Sequence, residues 1–287
     1  MSDKSDLVIE TSKLTKQYPN GTIAVDGLNL SIRRGEVYGL LGPNGSGKTT
    51  TILILTGLTE ATSGSVRVLG LDPLRQPLRV KRLVAYMPDS VGFYPEMTAA
   101  ENIDYTARLA QIPPAERDRR IDEAIELMGL GEVADHRVGT YSRGMRQRLA
   151  LAEVLVKEPR IAILDEPTQG LDPESAHEFL GLVESLREKG ITVLLSSHLL
   201  DQMQRICDRV GLFYRGRLVL EGTVHELTRQ VMGNQFAVRL TAESSDRDAF
   251  TSKLAALPGV LEFELERHSL DTIYREHLAK EREHATA

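Results

Sequence analysis

Three short stretches of the chain carry apolar residues on both alternating faces: Val37–Leu41, Ile161–Leu164 and Thr192–Ser196. A strand with apolar residues on both faces has both faces buried, which is the condition of a parallel sheet covered by helices on both sides. Each is followed by a stretch of helical pattern, the first through a Gly-rich turn with a helix expected from near Gly47. Strands alternating with helices in this way predict an α/β fold. Ahead of them, β-like runs at Leu7–Thr11 and Leu28–Ile32 lie either side of the turn-rich Pro19-Asn20-Gly21, and predict an antiparallel β flank. From Met97 to Glu158 the pattern is helical. Thr98-Ala99-Ala100-Glu101 fits a capping box, Pro113-Pro114 breaks the helix, and Glu116–Met128 is amphipathic. A helix over Arg146–Val156 leads into the second apolar strand, so residues 97–158 are expected to form a helical subdomain.

A boundary is expected near Met232-Gly233-Asn234. Beyond it, Phe236–Leu240 and Val260–Glu266 read as strands, with helices over Asp246–Leu257 and Leu270–Lys280. Residues 1–233 are therefore taken as the main domain and 234–287 as a small α+β C-terminal accessory domain.

Composition removes several classes of function. The single cysteine, Cys207, excludes an internal disulfide framework and a cysteine-based zinc cluster. A formal charge of −6 argues against a nucleic-acid role, because affinity for duplexes comes largely from neutralising phosphates. No apolar run approaches the ~20 residues of a membrane-spanning helix. Met1–Asp6 is polar and lacks the apolar core of a signal peptide. The chain is expected to work in the cytosol, with any membrane function supplied by a partner.

The chemistry concentrates at strand ends. Gly42-Pro43-Asn44-Gly45-Ser46-Gly47-Lys48-Thr49 matches G-x-x-x-x-G-K-[ST] at every specified position. The glycines let backbone N–H groups turn inward as an anion nest, and the following helix, with Thr50 in its first turn, adds its positive end. In such a P-loop Lys48 reaches the β- and γ-phosphates of a nucleotide and the Thr49 hydroxyl ligates Mg²⁺. The run Ile161–Leu164 ends in Asp165 and Glu166, which places one carboxylate for the Mg²⁺ shell and the next to polarise an attacking water. Two further pieces are weaker alone. Ser142 and Gly144 stand at a helix start, a second anion site or an ordinary cap, and His198 follows the third apolar strand.

In this order the set resembles the nucleotide-binding subunit of ABC (ATP-binding cassette) transporters, over roughly residues 7–230. The resemblance implies the ABC ATPase form of the P-loop NTPase fold, ATP and Mg²⁺ as ligand and cofactor, and Lys48, Glu166 and His198 as the catalytic set. It further implies a homodimer in which each subunit's P-loop faces the other's signature motif, with polytopic membrane permease subunits as partners. Tyr18 looks like the adenine-stacking aromatic, Ser142 and Gly144 match the signature, and Gly170-Leu171-Asp172 looks like the D-loop. Three positions depart from the family pattern. Arg143 and Met145 stand where the Leu-Ser-Gly-Gly-Gln signature has glycine and glutamine. Asp89 replaces a glutamine that senses Mg²⁺ and the lytic water, and is carried as a metal-shell candidate because aspartate also offers oxygen ligands.

Tyr-Ser-x-Gly-Met at 141–145, Met87-Pro88-Asp89 and Ser269–Tyr274 are similar to the exporter-type ATPases of multidrug and antibiotic efflux. That likeness implies export, a place on the cytoplasmic face of the cell membrane, and a groove at Val91–Asn102 (Phe93, Tyr94, Met97) for the partner's coupling helix. The rival reading is a soluble ABC ATPase acting on nucleic acid or ribosomes. The short insertion, the single P-loop and the single cysteine oppose it, so no nucleic acid is expected.

Overall fold

The computed structural model describes residues 6–232 and 247–256. Strands β1 (Leu7–Gln17), β2 (Ile23–Arg33) and β3 (Val37–Leu41) lead into helix α1 (Lys48–Leu55). Then come β4 (Ser63–Val68), α2 (Pro77–Leu83) and β5 (Val84–Met87), followed by three helices, α3 (Ala99–Leu109), α4 (Pro114–Leu127) and α5 (Arg143–Leu155). The α/β pattern resumes with β6 (Ile161–Leu164), α6 (Pro173–Glu188), β7 (Thr192–Ser197), α7 (Leu200–Ile206), β8 (Arg209–Tyr214), β9 (Arg217–Gly222) and α8 (Val224–Met232). Chain contacts divide the molecule into two units, Met1–Gln235 and Phe236–Ala287. In the second, the described element is α9 (Arg247–Ala255), inside the helix expected over Asp246–Leu257. The strands expected at Phe236–Leu240 and Val260–Glu266 and the helix at Leu270–Lys280 lie outside the described residues.

Among the described residues of the first unit there are two sheets. The main one runs β5-β6-β7-β3-β8-β9, parallel except for the antiparallel edge strand β9; the smaller is an antiparallel β2-β1-β4 flank. The apolar runs behave as two-faced strands. Tyr38, Leu40, Ile161, Ile163 and Leu194 enter one core with α1 and the flank, while Val37, Leu41, Ala162, Leu164, Val193 and Leu195 enter the other with α3–α6. Period-2 alternation across a sheet covered on both sides therefore accounts for apolar residues on both faces.

Several boundaries differ from those read in the sequence. The flank strands extend to Leu7–Gln17 and Ile23–Arg33, because polar residues on their outward face continue the alternation past the apolar segments. Helix α5 begins at Arg143 rather than Arg146. The cause is Ser142, whose side chain accepts a hydrogen bond from Met145 N–H (3.2 Å) and so caps the helix one turn earlier. Thr98 forms the expected capping box: its hydroxyl accepts from Glu101 N–H (3.2 Å), and the Glu101 carboxylate accepts from Thr98 N–H (2.8 Å).

Replacing Thr98 by Ala should lower stability by about 1 kcal/mol and speed amide exchange in the first turn of α3. Unchanged exchange there would show that tertiary packing, and not the cap, fixes the start of the helix.

Candidate functional site

Strands β6, β7 and β3 are adjacent and parallel, so the segments leaving their C-terminal ends converge on one edge of the sheet, where open α/β sheets bind ligands. The turn from β3 to α1 is built on close approaches. A Cβ at Gly42 would lie 2.3 Å from Phe213 O, and one at Gly47, where φ is +109°, would lie 2.3 Å from Ala24 O. The crest Pro43-Asn44-Gly45 is exposed while Ser46, Gly47 and Lys48 are buried. The Ser46 hydroxyl has no hydrogen-bond partner within the protein, and a buried orphan donor at the mouth of an anion nest fits an oxyanion ligand.

Lys48, 5% exposed, donates to Gly42 O (2.7 Å) and Pro43 O (3.3 Å) and lies 3.2 Å from Glu166 Oε1. That last approach is an ion pair without hydrogen-bond alignment, since Oε1 has no hydrogen-bond partner. The other Glu166 oxygen, Oε2, is 2.9 Å from His198 Nδ1. Lys48, Glu166 and His198 thus form one contiguous chain of polar groups. Glu166 adopts φ +47°, a left-handed conformation that costs a non-glycine residue of order 1–3 kcal/mol.

Ser196, which the sequence reading placed only as a strand residue, organises the two acids. Its hydroxyl donates to Asp165 Oδ1 (2.5 Å) and accepts from Glu166 N–H (2.9 Å). The signal available was a buried hydroxyl ending an otherwise apolar strand beside the acidic one. Asp165 is 1% exposed. Burial raises its carboxyl above the usual aspartate range, the neighbouring charges of Asp89 and Glu166 add to this, and hydrogen bonds from Ser196 and Thr49 oppose it. Tyr86 is pushed up to about 12 by burial and by the charges of Asp165 and Asp89. Asp89 itself is exposed and reaches the group through its field.

The Thr49 hydroxyl and the Asp165 carboxylate are therefore in contact. A desolvated carboxylate beside a hydroxyl at a phosphate nest is a donor set that suits Mg²⁺, with phosphate and water oxygens completing the shell. Among the described residues no cluster of three or more His, Cys, Asp or Glu side chains is arranged to hold a metal by itself.

Tyr18, directly after β1, approaches Thr50 (Tyr18 Oη to Thr50 Oγ1, 3.4 Å), and Lys16 Nζ sits 5.2 Å from the Tyr18 ring centroid. Ser142 and Gly144 are not joined to the P-loop by any hydrogen bond. They line a separate cleft with Met145, Arg148, Leu171 and Phe179. The Arg143 guanidinium lies against Gly170, so close that a Cβ there would be 2.4 Å from Arg143 Cζ. Asp172 caps α6 by accepting from Ser175 N–H (2.9 Å) and Ser175 Oγ (2.6 Å).

A second, small cleft, of about 40 Å³, opens between β5 and the helical subdomain, lined by Met87, Pro88, Val91, Thr106, Glu153 and Lys157 among others. Phe93 packs on the core rather than forming a rim. Tyr94 is exposed, stacks edge-on against Tyr105 (centroids 5.1 Å apart), and is fixed by Asn102, whose side chain bonds both its N–H (2.9 Å) and its C=O (3.1 Å). Burial raises the Glu153 carboxyl and lowers the Lys157 ammonium on this cleft's wall.

A P-loop at the end of one parallel strand, with paired acids just past the end of another two places along the same sheet, defines a nucleotide-binding ATPase. The family model for ABC transporters matches residues 25–169, about half of the chain. Among curated proteins, the chain is 39% identical over 249 residues to the daunorubicin/doxorubicin resistance ATP-binding protein DrrA of Streptomyces peucetius, covering 87% of this chain and 75% of that one. It is 33% identical over 253 residues to the linearmycin resistance ATP-binding protein LnrL of Bacillus subtilis, covering 88% and 80%. Among solved structures, cbiO1 of Clostridium perfringens, part of the cbiONQ ABC transporter complex, superposes with a TM-score of 0.72 at 29% identity, over 79% of this chain and 92% of that one. The chain belongs to the ABC transporter family: it is an ATP-binding component of such a transporter, an ATPase, related to subunits of drug and antibiotic resistance systems. No described helix is long and apolar enough to cross a membrane; the family's ATP-binding subunits partner with membrane subunits.

The raised Asp165 carboxyl has a consequence for stability. An acid whose folded pKa lies above its unfolded one makes the fold less stable as pH rises through that window. Asp165→Asn, which keeps an oxygen for the Ser196 hydroxyl, should therefore be more stable than the parent at neutral pH. The gain should vanish as pH falls below the ordinary aspartate value of 3.8. Urea unfolding at several pH values measures this, and a variant less stable than the parent at neutral pH would refute the desolvation account.

Proposed function

We propose that this chain is the motor subunit of an exporter and works as a homodimer, with Mg²⁺ and ATP held between the P-loop of one subunit and the signature of the other. The observation that supports this most is the convergence of Lys48, Glu166 and His198, with Asp165 and Thr49, on one edge of the sheet. In this reading the N–H groups of 42–47 cradle the phosphates, with Ser46 as a further donor. Lys48 exchanges its loop carbonyls for the β- and γ-phosphate oxygens. Tyr18 stacks on adenine beside Thr50. Thr49 and Asp165, with Asp89 nearby, hold the Mg²⁺, which neutralises phosphate charge when bound.

Glu166 polarises the attacking water. His198, bonded to its Oε2, holds the carboxylate in one orientation so that the other oxygen faces the γ-phosphate. Ser142 and Gly144, set apart from their own chain's P-loop, contact the nucleotide bound by the partner. Bound ATP touches both subunits only in the closed dimer, so it shifts the population toward closure, and loss of the γ-phosphate allows reopening. The membrane subunits carry the cargo, and the cleft between β5 and the helical subdomain receives a helix from them. The antibiotic resistance named for the relatives makes export of such compounds the favoured direction and cargo class. The chain then sits peripherally on the cytoplasmic face of the membrane, and residues 234–287 act as an accessory domain.

Glu166→Gln removes the base while keeping the shape. ATP turnover should fall by about 10²–10⁴-fold, and the variant should accumulate as an ATP-bound dimer in light scattering. A variant that stays monomeric in saturating ATP would sink the dimer-closure reading. Separately, His198→Ala should lower turnover with little change in nucleotide affinity, since His198 acts through Glu166; a loss confined to affinity would remove it from the catalytic set.

A further inference from the structure

The formal charge of the whole chain is −6, yet between Asp72 and Asp89 there is no acidic residue, while Arg75, Arg79, Lys81 and Arg82 all fall there. Arg79, Lys81 and Arg82 lie on α2 and Arg75 two residues ahead of it, and of that helix only Val80 is buried. Leu78, at the centre of the patch, is 73% exposed, and Leu74 is also exposed. Arg75 reaches Asp72 at 3.8 Å. Arg79 instead contacts the neutral Gln76 (2.5 Å) and Arg82 the neutral Gln111 (3.2 Å). Among the described residues none of Arg79, Lys81 and Arg82 forms an ion pair.

Cations in the last turn complement the helix dipole, which accounts for Lys81 and Arg82. It does not account for Arg79, nor for a leucine standing in solvent among unneutralised charges. The Arg82–Gln111 contact joins the patch to the end of α3, where Leu109 is 69% exposed. Helix α3 also supplies Thr106 to the cleft between β5 and the helical subdomain. Basic residues interleaved with exposed apolar ones, in an otherwise acidic chain and beside that cleft, are complementary to an anionic lipid surface.

We propose that α2 rests on the anionic headgroups of the bilayer around the membrane subunit, with Arg79, Lys81 and Arg82 pairing to lipid phosphates and Leu78 entering the headgroup layer. This rests on the reading that the chain docks on a membrane subunit at the neighbouring cleft.

Flotation of the purified full chain with vesicles is the test. Binding is expected with vesicles of phosphatidylcholine mixed with phosphatidylglycerol, not with phosphatidylcholine alone, and it should weaken as salt rises. Each cation is expected to contribute about fivefold to affinity. The triple variant Arg79→Gln, Lys81→Gln, Arg82→Gln should therefore bind on the order of 100-fold more weakly, with unchanged ATP turnover reporting an intact fold. Replacing the two arginines by lysine should preserve binding. Equal flotation with neutral vesicles, no flotation, or undiminished binding by the triple variant would overturn the proposal. So would preferential, salt-sensitive retention on duplex DNA.

Co-purification from detergent separates this from the docking reading. Vesicle binding without recovery of any polytopic membrane protein would sink the docking reading and leave the lipid contact standing. Loss of that protein by the triple variant, in detergent where no bilayer remains, would assign the patch to a protein partner and overturn the lipid assignment.

Discussion

Burying the Lys48 ammonium is the constraint on which the nucleotide end of the molecule is built. A charge withdrawn from water must be matched by oxygen ligands or opposite charge, and here Gly42 O, Pro43 O and the Glu166 carboxylate provide them. Supplying two carbonyls to one ammonium forces the loop to curl around it. That curl in turn requires glycine at 42 and 47, where neighbouring carbonyls leave no room for a Cβ. In the binding mode proposed above, the oxygens that satisfy Lys48 are the ones a triphosphate replaces, so the structural requirement and the binding function share one set of contacts. Because Glu166 also touches His198, any ligand that draws Lys48 away alters the electrostatic surroundings of the base and its histidine together.

The parallel sheet makes this convergence possible. In-register pairing of β6 with β7 and of β7 with β3 brings residues far apart in sequence to one edge, and the double-sided core fixes their relative positions. Ser196 reads both acids at once, one through its proton and the other through its lone pair.

Much of this was legible in the sequence, for reasons that lie in the residues. The P-loop was legible because its glycines and lysine are stereochemical requirements with fixed spacing. The strands at Val37, Ile161 and Thr192 were legible because a doubly covered strand has no polar face to obscure it. The flank was harder: β4 begins Ser63-Gly64-Ser65 and is exposed at those positions, so nothing apolar marks its start. Strand β9 is an antiparallel edge with exposed alternate residues, and β5 spans only four residues. The start of α5 was read a turn late because Arg143 and Gly144 carry no apolar period, and only the Ser142 cap identifies them as helical. Of the site itself, the role of Ser196 depends on which strand lies beside which, and strand order is not written in either segment alone. Nor does a local pattern predict that Arg143 lies over Gly170.

The left-handed backbone at Glu166 sets chemistry against folding at a single residue. Glycine, or asparagine, sits more comfortably at φ near +50° than any glutamate, so the chain carries the carboxylate proposed as its base at a position where the backbone is strained. A laboratory population selected only for heat resistance would be drawn toward losing that side chain, and, with Glu166 as the base proposed above, its members would become sturdier as they fell silent.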